Sequence, residues 1–399
     1  MEFPELAREK EKLAGIFAAE TGRAEEEIRM IASPYRISPL GAHIDHQGGP
    51  VLGMTINAYT LLAYAPTTDG RVRLRSMNYP GRVGFQLAQP EENTGSFWGV
   101  YARGATLALH QSVPLRHGIE GLIMGHLPGG GLSSSASVLL AYLSALADVN
   151  GIDLTHWELV NLTLVAENTH IGLKNGILDQ TSIVFGQPGH LLHIDTIKPD
   201  VTAIELSPDA DPFRILIAYS GYSRELTTTG YNSRVSECRE AARLLSEFSG
   251  DPMATRLADI PWDQFGRHGK KLPGHLYRRA CHFFSETKRV VKGVEAWKRG
   301  TIQAFGRLMM ESCESSIQDY ECGSQAIHDL QQIVSQTQGV YGSRFSGGGF
   351  GGCVVGLVSP DHAGSAVANI KNAYCGRHPE VADQVGVFLA RSVSGLRRV

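Results

Sequence analysis

Between His126 and Gly151 the chain reads HLPGGGLSSSASVLLAYLSALADVNG, and no other stretch narrows its fold so sharply. Three consecutive glycines, Gly129, Gly130 and Gly131, lead through Leu132, Ser133, Ser134 and Ser135 to Ala136 and an apolar run. Ala136, Leu139, Leu140, Leu143, Leu146 and Ala147 recur at helical period, and Gly151 suits a C-terminal cap. The pattern predicts a glycine loop that opens directly onto a helix N-terminus, where backbone N–H groups converge on an anion. Phosphate suits such a site, with the serine hydroxyls placed to reach a phosphate oxygen or a magnesium ion.

The common nucleotide signatures do not account for this loop. The only Gly-Lys pair, Gly269-Lys270, lacks the upstream glycine of a P-loop. The run GGGFGG, Gly347 to Gly352, matches Gly-x-Gly-x-x-Gly in form but is followed by the apolar CVVGLV rather than by a helix. No acidic residue stands about 20 positions on, which excludes a dinucleotide fingerprint. Backbone packing beside the first glycine loop is the expectation for it.

At 399 residues the chain is long enough for two lobes that share a core. Charged residues make up 19% and the formal net charge is −3, with no basic run, so neither nucleic acid nor a membrane surface is an expected partner. Six cysteines without a Cys-x-x-Cys pair argue against a zinc ribbon or a disulfide framework. The opening MEFPELAREKEKLAGIFAAE lacks the apolar run of a signal peptide, and a cytoplasmic location is expected.

Strand-like runs dominate the first part: IRMIASPYRI, PVLGMTINAYTLLAYAP as one or two strands, and the alternating RVRLRSMNY. Helical spacing appears in SFWGVYARGATLALHQS and HWELVNLTLVAENTHIG; HLLHID reads as a strand closing the first lobe. A loop-rich segment, IKPDVTAIELSPDADP, precedes the strand FRILIAYSG, helices dominate from Ser233 to Gln338, and strand and helix alternate thereafter. The expectation is an α+β protein of two lobes, residues 1–200 and 201–399, with the boundary near 195–212.

The segment RISPLGAHIDHQGG, Arg36 to Gly49, concentrates an arginine, two histidines and an aspartate among glycines. Three of its groups could ligate a metal, but no further His/Cys cluster lies nearby. Together with LPGGGLSSSASVLLA and GSRFSGGGFGGCVVG it resembles, in order and spacing, the three signature motifs of the GHMP small-molecule kinases, in particular their galactokinase branch. The resemblance spans nearly the whole chain. It implies an S5-like N-terminal lobe, a ferredoxin-like C-terminal lobe and an active site between them. It also implies ATP-dependent phosphorylation of a sugar's anomeric hydroxyl, with ATP and Mg2+ as cofactors.

Residue roles follow from the same resemblance. Within NGILDQTS, Asp179 would accept or orient the hydroxyl proton, with Arg36 as the cation beside it. Within AENTHIG, Glu167 would hold magnesium together with Ser135 or Ser134. Gly129 to Ala136 would cradle the phosphates, and Trp98 and Ser76 fall where base and ribose are contacted. His43, Asp45, Gly176 and Tyr231 match positions that hold the sugar ring.

One position departs from the galactokinase pattern. Galactokinases carry glutamate in Gly-Glu-His-x-Asp, where it binds the hydroxyl on the sugar's sixth carbon; here that residue is Ala42. An alanine leaves both room and neutrality for a carboxylate at that carbon, which points to galacturonic acid. YRISPLGAHIDHQGG, NGILDQ and the GYNSRVSEC around Tyr231 resemble plant-type galacturonokinases more than galactokinases proper. For the substrate carboxylate the candidates are Arg224, Tyr231 and nearby hydroxyls such as Thr228. A galactokinase relaxed at the sixth carbon and a catalytically silent sugar sensor are the other readings.

Overall fold

The computed structural model describes residues 1–90, 97–127, 129–223, 230–250 and 254–399. The first lobe is built on β1 (Arg29–Ile37), β2 (Val51–Thr67), β3 (Arg71–Ser76), β4 (Arg82–Gln86) and β5 (Gly118–Gly125). Its helices are α1 (Leu6–Thr21), α2 (Gly99–Ser112), α3 (Ser134–Val149), α4 (His156–Val165) and α5 (Leu178–Phe185). β2 is one unbroken strand of 17 residues, nearly all buried, because it is covered on both faces and therefore reads as a continuous apolar run. β1 and β5 flank it, and a hairpin of β6 (His190–Asp195) and β7 (Asp200–Glu205) pairs with its first residues.

β7 falls in the stretch expected to be loop-rich. Of its residues only Ile204 is buried, so the hydrophobic alternation that marks a half-buried strand is too weak to read. Pairing with β6 is what orders it.

The second lobe contains β8 (Arg214–Tyr219), α6 (Tyr231–Ser249), α7 (Trp262–His268), α8 (Gly274–Lys298), α9 (Ile302–Gln318) and α10 (Gln325–Gln336). β9 (Val340–Phe345), β10 (Cys353–Val358), α11 (Pro360–Arg377) and β11 (Gly386–Ala390) complete it. Its antiparallel sheet runs β11-β8-β10-β9. Alternation along β8 sends Ile215 and Ile217 into a core with Trp297 and Phe305 of α8 and α9. Leu216 and Ala218 face the opposite way, toward Leu330 of α10 and Ile370 of α11.

The expected two-lobed α+β architecture is therefore present, but the lobes are not independent bodies. Ile37, Leu40, Leu52 and Met54 of the first lobe share one core with Trp297, Phe305 and Val355 of the second. A final strand, β12 (Arg397–Arg398), returns to pair with β1. Among the described residues no helix is long and apolar enough to cross a membrane, and all six cysteines are free thiols.

Candidate active site

A cleft of about 680 Å³ opens between the lobes. β1 delivers Arg36 to its floor, where the side chain is 4% exposed. Arg36 Nε donates to Asp179 Oδ1 at 2.7 Å, and Nη1 reaches Gly131 O and Ser346 Oγ, each at 3.3 Å. Asp179 stands in the first turn of α5, and its Oδ2 accepts from Ser133 Oγ at 2.5 Å. A carboxylate thus sits at the cleft with one oxygen on a guanidinium and the other on a hydroxyl.

The glycine loop passes from β5 into α3 as its sequence predicts. Ser133 precedes α3 with a left-handed φ of 65°, which turns its hydroxyl back to Asp179. Ser134 Oγ accepts from Gly129 N at 3.0 Å and braces the loop across its own turn. Gly129, Gly131, Ser133, Ser134 and Ser135 line the cleft, while Leu132 and Ala136 are buried beneath it. GGGFGG packs beside this loop: a Cβ on Gly352 would stand 2.6 Å from Gly130 O, so the two glycine turns touch backbone to backbone.

Ala42, His43, Asp45, Gly176 and Tyr231 come together on one side of Asp179. Asp45 Oδ2 accepts from Leu178 N at 3.2 Å. Gly176 must be glycine, since any Cβ would lie 2.1 Å from that same carboxylate oxygen. Burial, then repulsion from Asp179, pushes Asp45 up to about 6. His43 adopts a left-handed φ of 61° and stacks on Tyr320 with ring centroids 4.6 Å apart. Burial first, then the neighbouring His282, drives its pKa well down, so the imidazole is neutral. Tyr231 opens α6 and is buried beside His43.

Glu167 lies behind the cleft wall, in a π-helical turn (Ala166–Ile171) that extends α4. It is fully buried, and neither carboxylate oxygen has a hydrogen-bond partner among the described residues. Burial and then the charge on Asp179 push it up to about 8. An orphaned buried carboxylate is costly, and a divalent cation supplied from the serine side would relieve it. Among the described residues no cluster of three or more His, Cys, Asp or Glu stands ready to hold a metal, so such a cation would keep most of its water.

Trp98 and Ser76 line the far end of the cleft. Trp98 Nε1 donates to Pro80 O at 3.2 Å, and Ser76 Oγ accepts from Asn78 N and Tyr79 N in the turn after β3. Tyr79 and the exposed Phe97 meet edge to face here, at 5.2 Å between centroids. Neither ring stands out in the sequence; both sit in unpatterned turns that only the fold brings together. Ser346 and Arg344, which also reach the site, are hidden in a motif dominated by its glycines. Arg224 and Thr228 lie outside the described residues.

Glu167 yields a stability test in protein free of nucleotide and divalent cation. Its folded pKa lies above the ordinary 4.5, so the folded state holds a proton that the unfolded chain has lost, and stability falls as pH rises from about 4.5 to about 8. Glu167→Gln removes that loss. Thermal melts should coincide near pH 5, while near pH 8.5 the variant should melt about 2 °C or more above the parent. A gap that stays constant across this range would refute the assignment.

Comparison with known proteins agrees with this geometry. The GHMP kinases N terminal domain matches residues 100–187, the GHMP kinases C terminal domain residues 294–375, and a galactokinase galactose-binding signature residues 16–66. A galacturonokinase of Arabidopsis thaliana is 41% identical over 92% of this chain and 91% of its own. A Homo sapiens galactokinase is 32% identical over 94% of each chain. The crystal structure of Lactococcus lactis galactokinase complexed with galactose superposes with a TM-score of 0.89 at 29% identity, over 98% of this chain and 100% of that one. With its paired glycine loops, its buried Arg36–Asp179 pair and these relatives, the chain belongs to the GHMP kinases, in their galactokinase branch.

Proposed function

We propose that this protein is a sugar 1-kinase that transfers the γ-phosphoryl group of ATP to the anomeric hydroxyl of D-galacturonic acid, giving galacturonic acid 1-phosphate. The observation that carries the choice of sugar is Ala42, neutral and small in a buried pocket where galactokinases carry a glutamate. The Arabidopsis galacturonokinase relative supports the same choice. The reading has the protein acting in the cytoplasm, where its free thiols would stay reduced.

In this reading Asp179 receives the proton of the anomeric hydroxyl. Arg36 and Ser133 hold its carboxylate in place, and Arg36 offsets charge as the phosphoryl group moves. Asp45 accepts from ring hydroxyls, and neutral His43 offers a ring N–H or lone pair without adding charge. The loop from Gly129 to Ala136 presents its N–H groups to the phosphates. Glu167 and Ser135 would hold magnesium, which screens the phosphate charge when bound. Trp98, Ser76, Tyr79 and Phe97 form the wall available to the nucleoside.

Asp179→Asn keeps the side chain's shape but removes its capacity to take a proton. Turnover should drop at least a thousandfold, on the order of a lost general base and its charge, while both substrates still bind. Turnover within threefold of the parent would defeat the assignment.

For magnesium, melting temperature gives a readout apart from activity. In the presence of ADP, millimolar Mg2+ should raise the parent's melting temperature more than that of Glu167→Gln, because the amide is the weaker ligand. Equal shifts would move the metal away from Glu167.

Restoring the missing acid tests the sugar. Two carboxylates ~4 Å apart at an effective dielectric of ~20 repel by ~4 kcal/mol, so Ala42→Glu should lower kcat/KM for galacturonic acid by up to about a thousandfold. Galactose should gain or change little. A variant that keeps the parent's preference across a panel of sugars and sugar acids would show that the sixth carbon is read elsewhere. The galactose-binding signature match favours the second reading, a galactokinase relaxed at that carbon, and the same panel separates the two.

A further inference from the structure

Beneath Ala42 one buried carboxylate faces two guanidinium groups. Glu286 of α8 is fully buried, and its Oε1 accepts from Gly41 N at 2.7 Å, Ala42 N at 3.3 Å and Ser312 Oγ at 2.6 Å. Its Oε2 accepts from Arg289 Nε at 2.6 Å. A second guanidinium, that of Arg344 in β9, stands 3.9 Å from the same Oε1 and is 1% exposed. Arg344 Nη1 donates to Ser312 Oγ at 2.6 Å and Nε to Phe345 O at 3.0 Å. Its Nη2 has no hydrogen-bond partner among the described residues, although the side chain lines the cleft beside Ala42, His43 and Asp45.

One carboxylate thus serves two arginines, Arg289 partly exposed and Arg344 almost fully buried, and the buried one is the one that lines the cleft. His43 and His282 pack against this group, and burial keeps both neutral, so neither supplies an anion. A buried guanidinium short of an anion is expensive unless a ligand provides one. Arg36 is not short of an anion, because its Nε already donates to the carboxylate of Asp179.

We propose that Arg344 is the cation that binds the carboxylate at the sixth carbon of the substrate, in the space that Ala42 leaves open. This rests on the galacturonic acid reading above. Arg344 is held by Ser312 and Phe345 before substrate arrives, so the charge pair costs little side-chain ordering. Ala42 then has two effects: it removes a competing acid and it leaves the guanidinium for the substrate.

The test compares kcat and KM for galacturonic acid and for galactose in the parent, Arg344→Lys and Arg344→Gln. Arg344→Gln should raise KM for galacturonic acid about thirtyfold or more, with Arg344→Lys between it and the parent. The larger change should fall on KM for galacturonic acid, with KM for galactose rising at least about tenfold less. A measurement on the parent alone needs no variant to fold: galacturonamide, isosteric but uncharged, should compete at least about tenfold more weakly than galacturonic acid. Variants that lose both sugars in proportion, variants that lose neither, or an amide that competes as well as the acid would each overturn the role of Arg344. A parent that prefers galactose overturns the sugar reading and this proposal with it; a parent that prefers galacturonic acid while its variants keep that preference overturns the proposal alone.

Discussion

The structure turns on one buried guanidinium. Arg36 reaches from β1 to Asp179 in α5, to Gly131 in the glycine loop and to Ser346 beside the second glycine turn, while its own N–H donates to Leu132 O. Three segments far apart in sequence are thereby fixed to one planar group. An arginine buried this deeply needs a counter-ion and hydrogen-bond acceptors, and here those partners are the parts of the site. Lysine at this position would keep the charge but lose the fork that sets the distances between them.

Around that node the charges are deliberately out of balance. Burial, then the charge on Asp179, raises the proton affinity of Asp45 and of Glu167 on one side, where a phosphoryl group and its cation would enter. Arg344 and Arg289 outnumber Glu286 on the other. The charges around Arg344 and around Asp179 therefore differ in sign, and a ligand with an acid at one end and a neutral hydroxyl at the other has one favourable orientation between them. The same polarity disfavours the reversed pose, in which an acid would face Asp179.

The sequence made the catalytic half of this site legible because glycine loops and the Arg36–Gly49 segment are forced by local backbone needs. A glycine turn that packs backbone to backbone against another, or a Gly176 that must clear Asp45, leaves a residue type that no other constraint explains. Arg344, Glu286 and Ser312 left no such mark. Each sits in a regular strand or helix with ordinary periodicity, and only the packing of α8 and α9 under β9 joins them. β7 is hidden for a related reason, since this edge strand buries almost nothing, whereas its partner β6 is legible as HLLHID. Long-range pairing, such as that of β12 with β1, carries no local signal at all.

That last pairing bears on how the molecule is made. Arg397 and Arg398 add an edge to the sheet whose second strand carries Arg36, and Arg398 also meets Asp148 at the end of α3 at 2.7 Å. On the ribosome β1 emerges well before β12, so its outer edge at Ile31 and Ala32 waits until residue 398 has been made. The first lobe's sheet is therefore completed at Ile31 and Ala32 only after the second lobe has been made, and until then that stretch of edge stays exposed, although β1 already pairs with β2 on its inner side. Fast elongation through the C-terminal half would shorten that exposure, and a chaperone that shields the β1 edge would serve the same end.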